Sequence, residues 1–160
     1  MLIGNPDVFA IWCDAVGSWS TNCFKNGCFA YFIDGKLLLS LASTLGVDLN
    51  LLSALACIEG DAEDIRLFHL SCAEAYAELC ARAFPPMDSN AGFSDYKHLV
   101  SVGSLLDEGH HVFLIESGDQ AKLIRGFKND LSSVCESTLK IGEFQSVVLE
   151  AIDKSPNKEY

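Results

Sequence analysis

Apolar runs alternate with short polar breaks along this chain, and the length and spacing of each run assign an element. Phe9 to Val16 is apolar enough for a strand, with Asn5-Pro6-Asp7 as a turn ahead of it. Cys28 to Ile33 (CFAYFI) and Lys36 to Ser40 (KLLLS) flank Asp34-Gly35. An Asp-Gly pair between two apolar runs is a strong hairpin signal, because both turn residues must accept positive φ. Both arms are apolar at almost every position, which predicts that they lie inside a sheet rather than at its edge. Asp48 is placed to cap a short helix carrying Leu51, Leu52 and Leu55 inward. Ser71 and Glu74 form an S-x-x-E capping box that opens a helix running to about Ala83. On it Cys72, Tyr76, Cys80 and Ala83 share one face, and Glu74, Glu78 and Arg82 share the other. Pro85-Pro86 stops the helix, and residues 85–96 (PPMDSNAGFSDY) read as the longest loop.

Strands then return. Lys97 to Val102 is one candidate, and His110 to Glu116 pairs with Gln120 to Arg125 as a second hairpin around Ser117-Gly118-Asp119. Val134 to Leu139 alternates well enough for a last strand. Phe144, Val147, Val148, Ala151 and Ile152 recur at the spacing of an amphipathic helix. The order predicts an α+β fold: a mostly antiparallel sheet of about six to seven strands covered by helices. A length of 160 residues fits one domain over 1–160, with a polar tail at 154–160.

Charge narrows the partners. The formal net charge is −11, and the chain lacks the cluster of Lys and Arg that a nucleic-acid or anionic-membrane binder needs. Residues 41–65 hold Asp48, Glu59, Asp61, Glu63 and Asp64 and no base. Such a surface repels nucleic acid and attracts basic proteins, most strongly at low salt. No basic region precedes an apolar run at the start, and no run is long enough to span a bilayer, so the expectation is a soluble, cytosolic protein.

Candidate chemistry changes little. The seven cysteines include Cys13, Cys23 and Cys28, but C-x-x-C occurs nowhere, so neither a zinc site nor a redox pair is expected. His110 and His111 follow Asp107 and Glu108, yet adjacent strand residues point to opposite faces and cannot easily share one ion. Neither a nucleophile elbow nor a phosphate-cradling glycine loop is present. Carboxylates 59–64 (EGDAED) are too polar a run for acid–base work that needs burial. No enzyme and no cofactor is expected. A small ligand-binding domain using Tyr31, His98 or Cys135 is the alternative, with an enzyme built on His110 or His111 third.

The segment MLIGNPDVFAIWCDAVGSWSTNCFKNGCFAYFIDGKLL resembles the N-terminal region of the bacterial immunity proteins numbered forty-two in polymorphic-toxin systems. The matching elements are I-G-N-P, F-A-I, a tryptophan ending a polar turn, and K-N-G-C-F leading into F-I-D-G. FLIESGDQAKLIRG is similar to the family's second block. The resemblance implies a stoichiometric inhibitor that binds a cognate toxin domain, often a nuclease and expected to be basic, in the cytosol. Candidate contacts are Glu59, Asp61, Glu63 and Asp64, then Asp107, Glu108 and Asp119, with Trp19 and Tyr96 as aromatic anchors.

Overall fold

The computed structural model describes residues 1–155 apart from Asp61, Ser89 and Ala91. Among the described residues seven strands, all paired antiparallel, are divided between a four-stranded and a three-stranded sheet, with five α-helices, and the α+β class follows. The chain forms two compact units. One comprises Met1–Ala54, Val102–Glu108 and the chain from Gly142 on; the other comprises Leu55–Ser101 and Gly109–Ile141.

The first unit holds β1 (Leu2–Asn5), β2 (Phe9–Ala15), β3 (Asn26–Ile33) and β4 (Lys36–Thr44), in that spatial order. The predicted hairpin joins β3 to β4, with Asp34 and Gly35 at φ 51° and 70°. The expected interior position is corrected for one arm: β3 is internal, but β4 is an edge strand. Apolar residues on both parities report what each face of a strand meets, not how many neighbours it pairs with. One face of this sheet carries Phe9, Ile11, Cys13, Phe29, Tyr31, Ile33 and Leu38, all buried. Helices α1 (Leu45–Ser53), α4 (Gly103–Asp107) and α5 (Glu143–Asp153) belong to this unit, and Phe144 of α5 stacks on Phe9 at 4.8 Å between ring centroids. The amphipathic pattern of α5 holds, with Phe144, Val148 and Ala151 buried.

Asp48 is not a cap. Helix α1 starts at Leu45, and Asp48 lies buried within it, accepting from Ser43 Oγ at 2.5 Å and from the Ser104 N–H at 3.3 Å. Leu51 accordingly points out, Leu52 is buried, and Leu55 lies beyond the helix. A carboxylate with two donors of its own is better satisfied inside than at a helix end already open to water.

The second unit holds β5 (His110–Ser117), β6 (Gln120–Phe127) and β7 (Asp130–Lys140), with α2 (Ile65–His69) and α3 (Cys72–Ala83). The capping box on α3 is present in both directions, and Ala75, Tyr76, Leu79, Cys80 and Ala83 are buried. Lys97 to Val102 is not a strand: a single bridge, Leu99 to Phe113, replaces it. The Leu114 N–H donates to the His98 carbonyl and the Val100 N–H to that of Val112, so the segment satisfies β5 without regular pairing. Of the predicted tail, residues 156–160 lie outside the described residues, and Ser155 is buried.

Candidate functional site

The acidic run and the second hairpin meet in the second unit. The Glu116 N–H donates to the Ala62 carbonyl at 2.8 Å, and the Asp64 N–H donates to the Glu116 carbonyl at 3.1 Å. These bonds form a parallel bridge between Glu63 and Glu116, beside the turn that carries Asp119. Acids more than fifty residues apart therefore share one edge: Glu63 is exposed on it and Asp119 is exposed in the adjoining turn, while Glu59, four residues before Glu63, is exposed as well. Asp64 has other work. Its Oδ1 accepts from the Leu67 N–H at 2.9 Å, capping α2, and its Oδ2 lies 4.0 Å from Arg82. Asp61 lies outside the described residues. The guanidiniums of Arg66 and Arg82 both engage Glu78, and the hydrogen bond from Arg66, then that from Arg82, holds its carboxyl below the usual range.

Tyr96 is exposed, with its ring 6.4 Å from that of Phe84. Met87 and Phe93 in the same loop are also solvent-facing, Phe93 at 94% exposure. His111 is half-buried with its ring 4.6 Å from Phe84, and its Nδ1 lies 3.6 Å from the Cys80 sulfur. His110 instead meets the edge of Phe127 at 6.0 Å. His98 is buried, and its Nδ1 must carry the proton because it lies 2.8 Å from the Leu114 carbonyl, which can only accept.

Burial lowers the pKa of both His98 and His111, with His110 adding to the effect at His111. A histidine whose folded pKa is depressed contributes stability that is full above its unfolded value, about 6.5, and is lost as pH falls through the folded value. Melting temperature is therefore expected to fall as pH drops below about 6.5, and His111→Phe, which keeps a ring beside Phe84, should flatten part of that slope. Thermal melts across pH 5–8 check this; an unchanged slope in the variant removes His111 from the account.

In the first unit Trp19 ends a short 3-10 turn, Gly17–Trp19, and is 46% exposed. The loop is tied by Ser20, which donates from Oγ to the Val16 carbonyl at 2.9 Å and accepts from the Asn26 N–H at 3.1 Å, while Asn26 Nδ2 donates to the Trp19 carbonyl at 2.8 Å. Asp107 and Glu108 are exposed at the end of α4. Cys13 and Cys28 sit on paired strands but one register step apart, opposite Phe29 and Asp14 respectively, so they face opposite sides of the sheet. Of the residues considered for a ligand site, Tyr31 fills the aromatic core between Phe9 and Phe29. Cys135 is exposed on β7, in the other unit from Tyr31. A cavity of about 510 Å³ in the first unit is lined by the Thr21–Lys25 loop with Thr44, Val47 and Asn50, and by neither Tyr31 nor any histidine. Among the described residues no three His, Cys, Asp or Glu side chains gather as a metal set.

Exposed acids and solvent-facing aromatic rings are what these surfaces offer. The chain belongs to the family described as Immunity protein 42, whose model matches residues 1–154. The crystal structure of CdiI from Burkholderia dolosa AUO158 is similar to it at 57% sequence identity and a TM-score of 0.93, covering 97% of this chain and 100% of that one. No curated protein matches. Among the described residues no helix is long and apolar enough to cross a membrane.

Outward-facing residues that the sequence reading passed over are Trp12, Phe32, Leu37, Leu39 and Leu41. The available signal was the apolar character of both parities in CFAYFI and KLLLS, which requires two covers for one sheet.

Proposed function

We propose that this immunity protein is a stoichiometric, non-enzymatic inhibitor of a cognate toxin domain from a contact-dependent growth inhibition or other polymorphic-toxin system. It binds that domain in the cytosol and occludes its active site or an essential surface. The toxin is a basic nuclease acting on RNA or DNA. The observation that carries the reading, beside family membership, is the edge that brings exposed Glu63 beside the turn of Asp119 on a chain of net charge −11, with Glu59 exposed a few residues before. A nuclease must hold polyanionic substrate with Lys and Arg, and an acidic surface is steered to the same groups. The family match runs through both compact units, which supports treating residues 1–160 as one functional domain.

Coexpression with the toxin encoded beside it tests this directly. Copurification at one-to-one stoichiometry, rescue of growth, and suppression of RNA or DNA cleavage are the expected results. A toxin that is inhibited but cleaves neither polymer removes the nuclease assignment. The combined variant Glu59→Lys, Glu63→Lys, Asp119→Lys leaves the Asp64 cap intact. It is expected to slow association about tenfold at low ionic strength and much less at high salt, with dissociation little changed. Stopped-flow association rates across salt measure this; an unaltered rate discards the acidic edge as the steering surface.

A further inference from the structure

The four-stranded sheet of the first unit has a second face, and it is built like an interface. The register places Leu2, Trp12, Ala30 and Leu39 in one row across all four strands, and Ala10, Phe32 and Leu37 in the next. Residues of alternate parity, including Ile11 and Tyr31, point the other way into the core. An antiparallel sheet with one face on a core normally turns polar side chains to the other. Here Leu2 is 50% exposed, Leu37 47% and, further along β4, Leu41 56%, while Trp12, Phe32 and Leu39 are half-buried. Ala10 and Ala30 lie fully covered between these larger side chains, so the middle of the face is a shallow apolar floor with bulky walls.

Acids surround it. The β1–β2 turn carries Asp7 and the β3–β4 turn carries Asp34, both exposed. The two turns are tied together at one end of the sheet, where the Asp34 N–H donates to the Val8 carbonyl and the Gly35 N–H to that of Pro6, each at 3.0 Å. Lys36 adjoins the same turn. Asp14, opposite Cys28, is exposed at the other end on the Trp12 side of the strand.

We infer that the cognate toxin docks on this outer face, an inference that rests on the inhibitor function proposed above. Strand spacing and rise make the apolar platform about 15 Å by 20 Å. That is the size of the apolar centre of a standard interface, not of the whole footprint of about 800 Å² per partner. The acid rim therefore lies within the contact and selects its occupant. A second copy of this chain would bring Asp7, Asp14 and Asp34 against their own counterparts on a molecule of charge −11. A basic partner with an apolar knob satisfies both centre and rim. The exposed acids of the second unit act earlier, on approach, by long-range steering.

The two contributions separate kinetically. Leu2→Thr, Leu37→Thr and Leu41→Thr together keep strand propensity and add no charge. The triple variant is expected to weaken toxin binding about 100-fold, mainly through faster dissociation, with near-unchanged association. Melting temperature and near-ultraviolet circular dichroism verify that it folds. In parallel, hydroxyl-radical footprinting of the wild-type complex should protect Trp12 and Phe32, which needs no variant. Wild-type inhibition combined with full-affinity variant binding, or with no protection at Trp12 and Phe32, overturns the docking face and leaves the inhibitor function standing. Absence of toxin binding by the wild type overturns both. A wild-type dimer in sedimentation that the triple variant abolishes assigns the face to a second copy and overturns the toxin as its occupant.

Discussion

Gly27→Ala is expected to destabilise the protein by about 3 kcal/mol, at the upper end of what one overpacked methyl costs. Gly27 lies opposite Ala15 at the last register pair of β2 and β3. A Cβ there would sit 2.0 Å from the Asp14 carbonyl oxygen and 2.9 Å from the Ala15 Cα. Both are backbone atoms of the paired strand, so no rotamer change relieves the clash. Fraying the strand end is also costly. The Asn26 carbonyl accepts from the Val16 N–H at 2.9 Å, and Ser20 Oγ bridges the same two strands, so peeling β3 away releases the whole 17–25 loop. Gly17→Ala, with open space around the added methyl, is the control and should stay within about 0.5 kcal/mol of wild type. Urea unfolding of the three proteins decides it. Equal midpoints for wild type and Gly27→Ala would show that β2 and β3 separate at this point without loss.

The second large effect belongs to Tyr76. Its side chain is fully buried, its hydroxyl donates to the Lys128 carbonyl at 2.6 Å, and its ring meets Phe113 edge-on at 5.8 Å. Gly126 on β6 leaves the space the ring occupies, since a Cβ there would lie 2.5 Å from it. One side chain thus ties α3 to β6 and to the β6–β7 turn. Tyr76→Ala is expected to cost about 4 kcal/mol, in the range for emptying a buried aromatic site. Tyr76→Phe removes only the hydroxyl, stranding the Lys128 carbonyl, and should cost about 1 kcal/mol. The difference between the two, read from chemical denaturation, apportions the effect between packing and hydrogen bond. Equal losses would show that the hydroxyl carries it all.

Legibility in the sequence followed the range of the interaction. The Asp34-Gly35 turn and the Ser71–Glu74 capping box are specified by residues within a few positions, and both stand as expected. The α5 stripe is equally local. Asp48 reads as a cap because one of its two donors, the Ser104 N–H, lies 56 residues away, and the other, Ser43 Oγ, precedes the helix without any pattern to mark it. The bridge that brings Glu63 beside the turn of Asp119 depends on backbone bonds between Ala62–Asp64 and Glu116, which no periodicity announces. Asp64 was indistinguishable in sequence from its neighbours until its cap and its approach to Arg82 separated it. Trp12 is the instructive case. Alternation shows that two faces of a strand are apolar, but not which of them a helix covers.

The cysteines give each compact unit an internal timer. Cys13 in the first unit and Cys57 in the second are buried, and burial pushes each thiol up to about 12, so neither forms the reactive thiolate while its surroundings hold. Cys23 and Cys135 are exposed, one in each unit. A thiol reagent therefore modifies Cys23 and Cys135 first and half-buried Cys72 next, and then waits for the buried thiols. The order in which Cys13 and Cys57 later become labelled reports which unit opens first, in an unmodified chain and without any engineered probe.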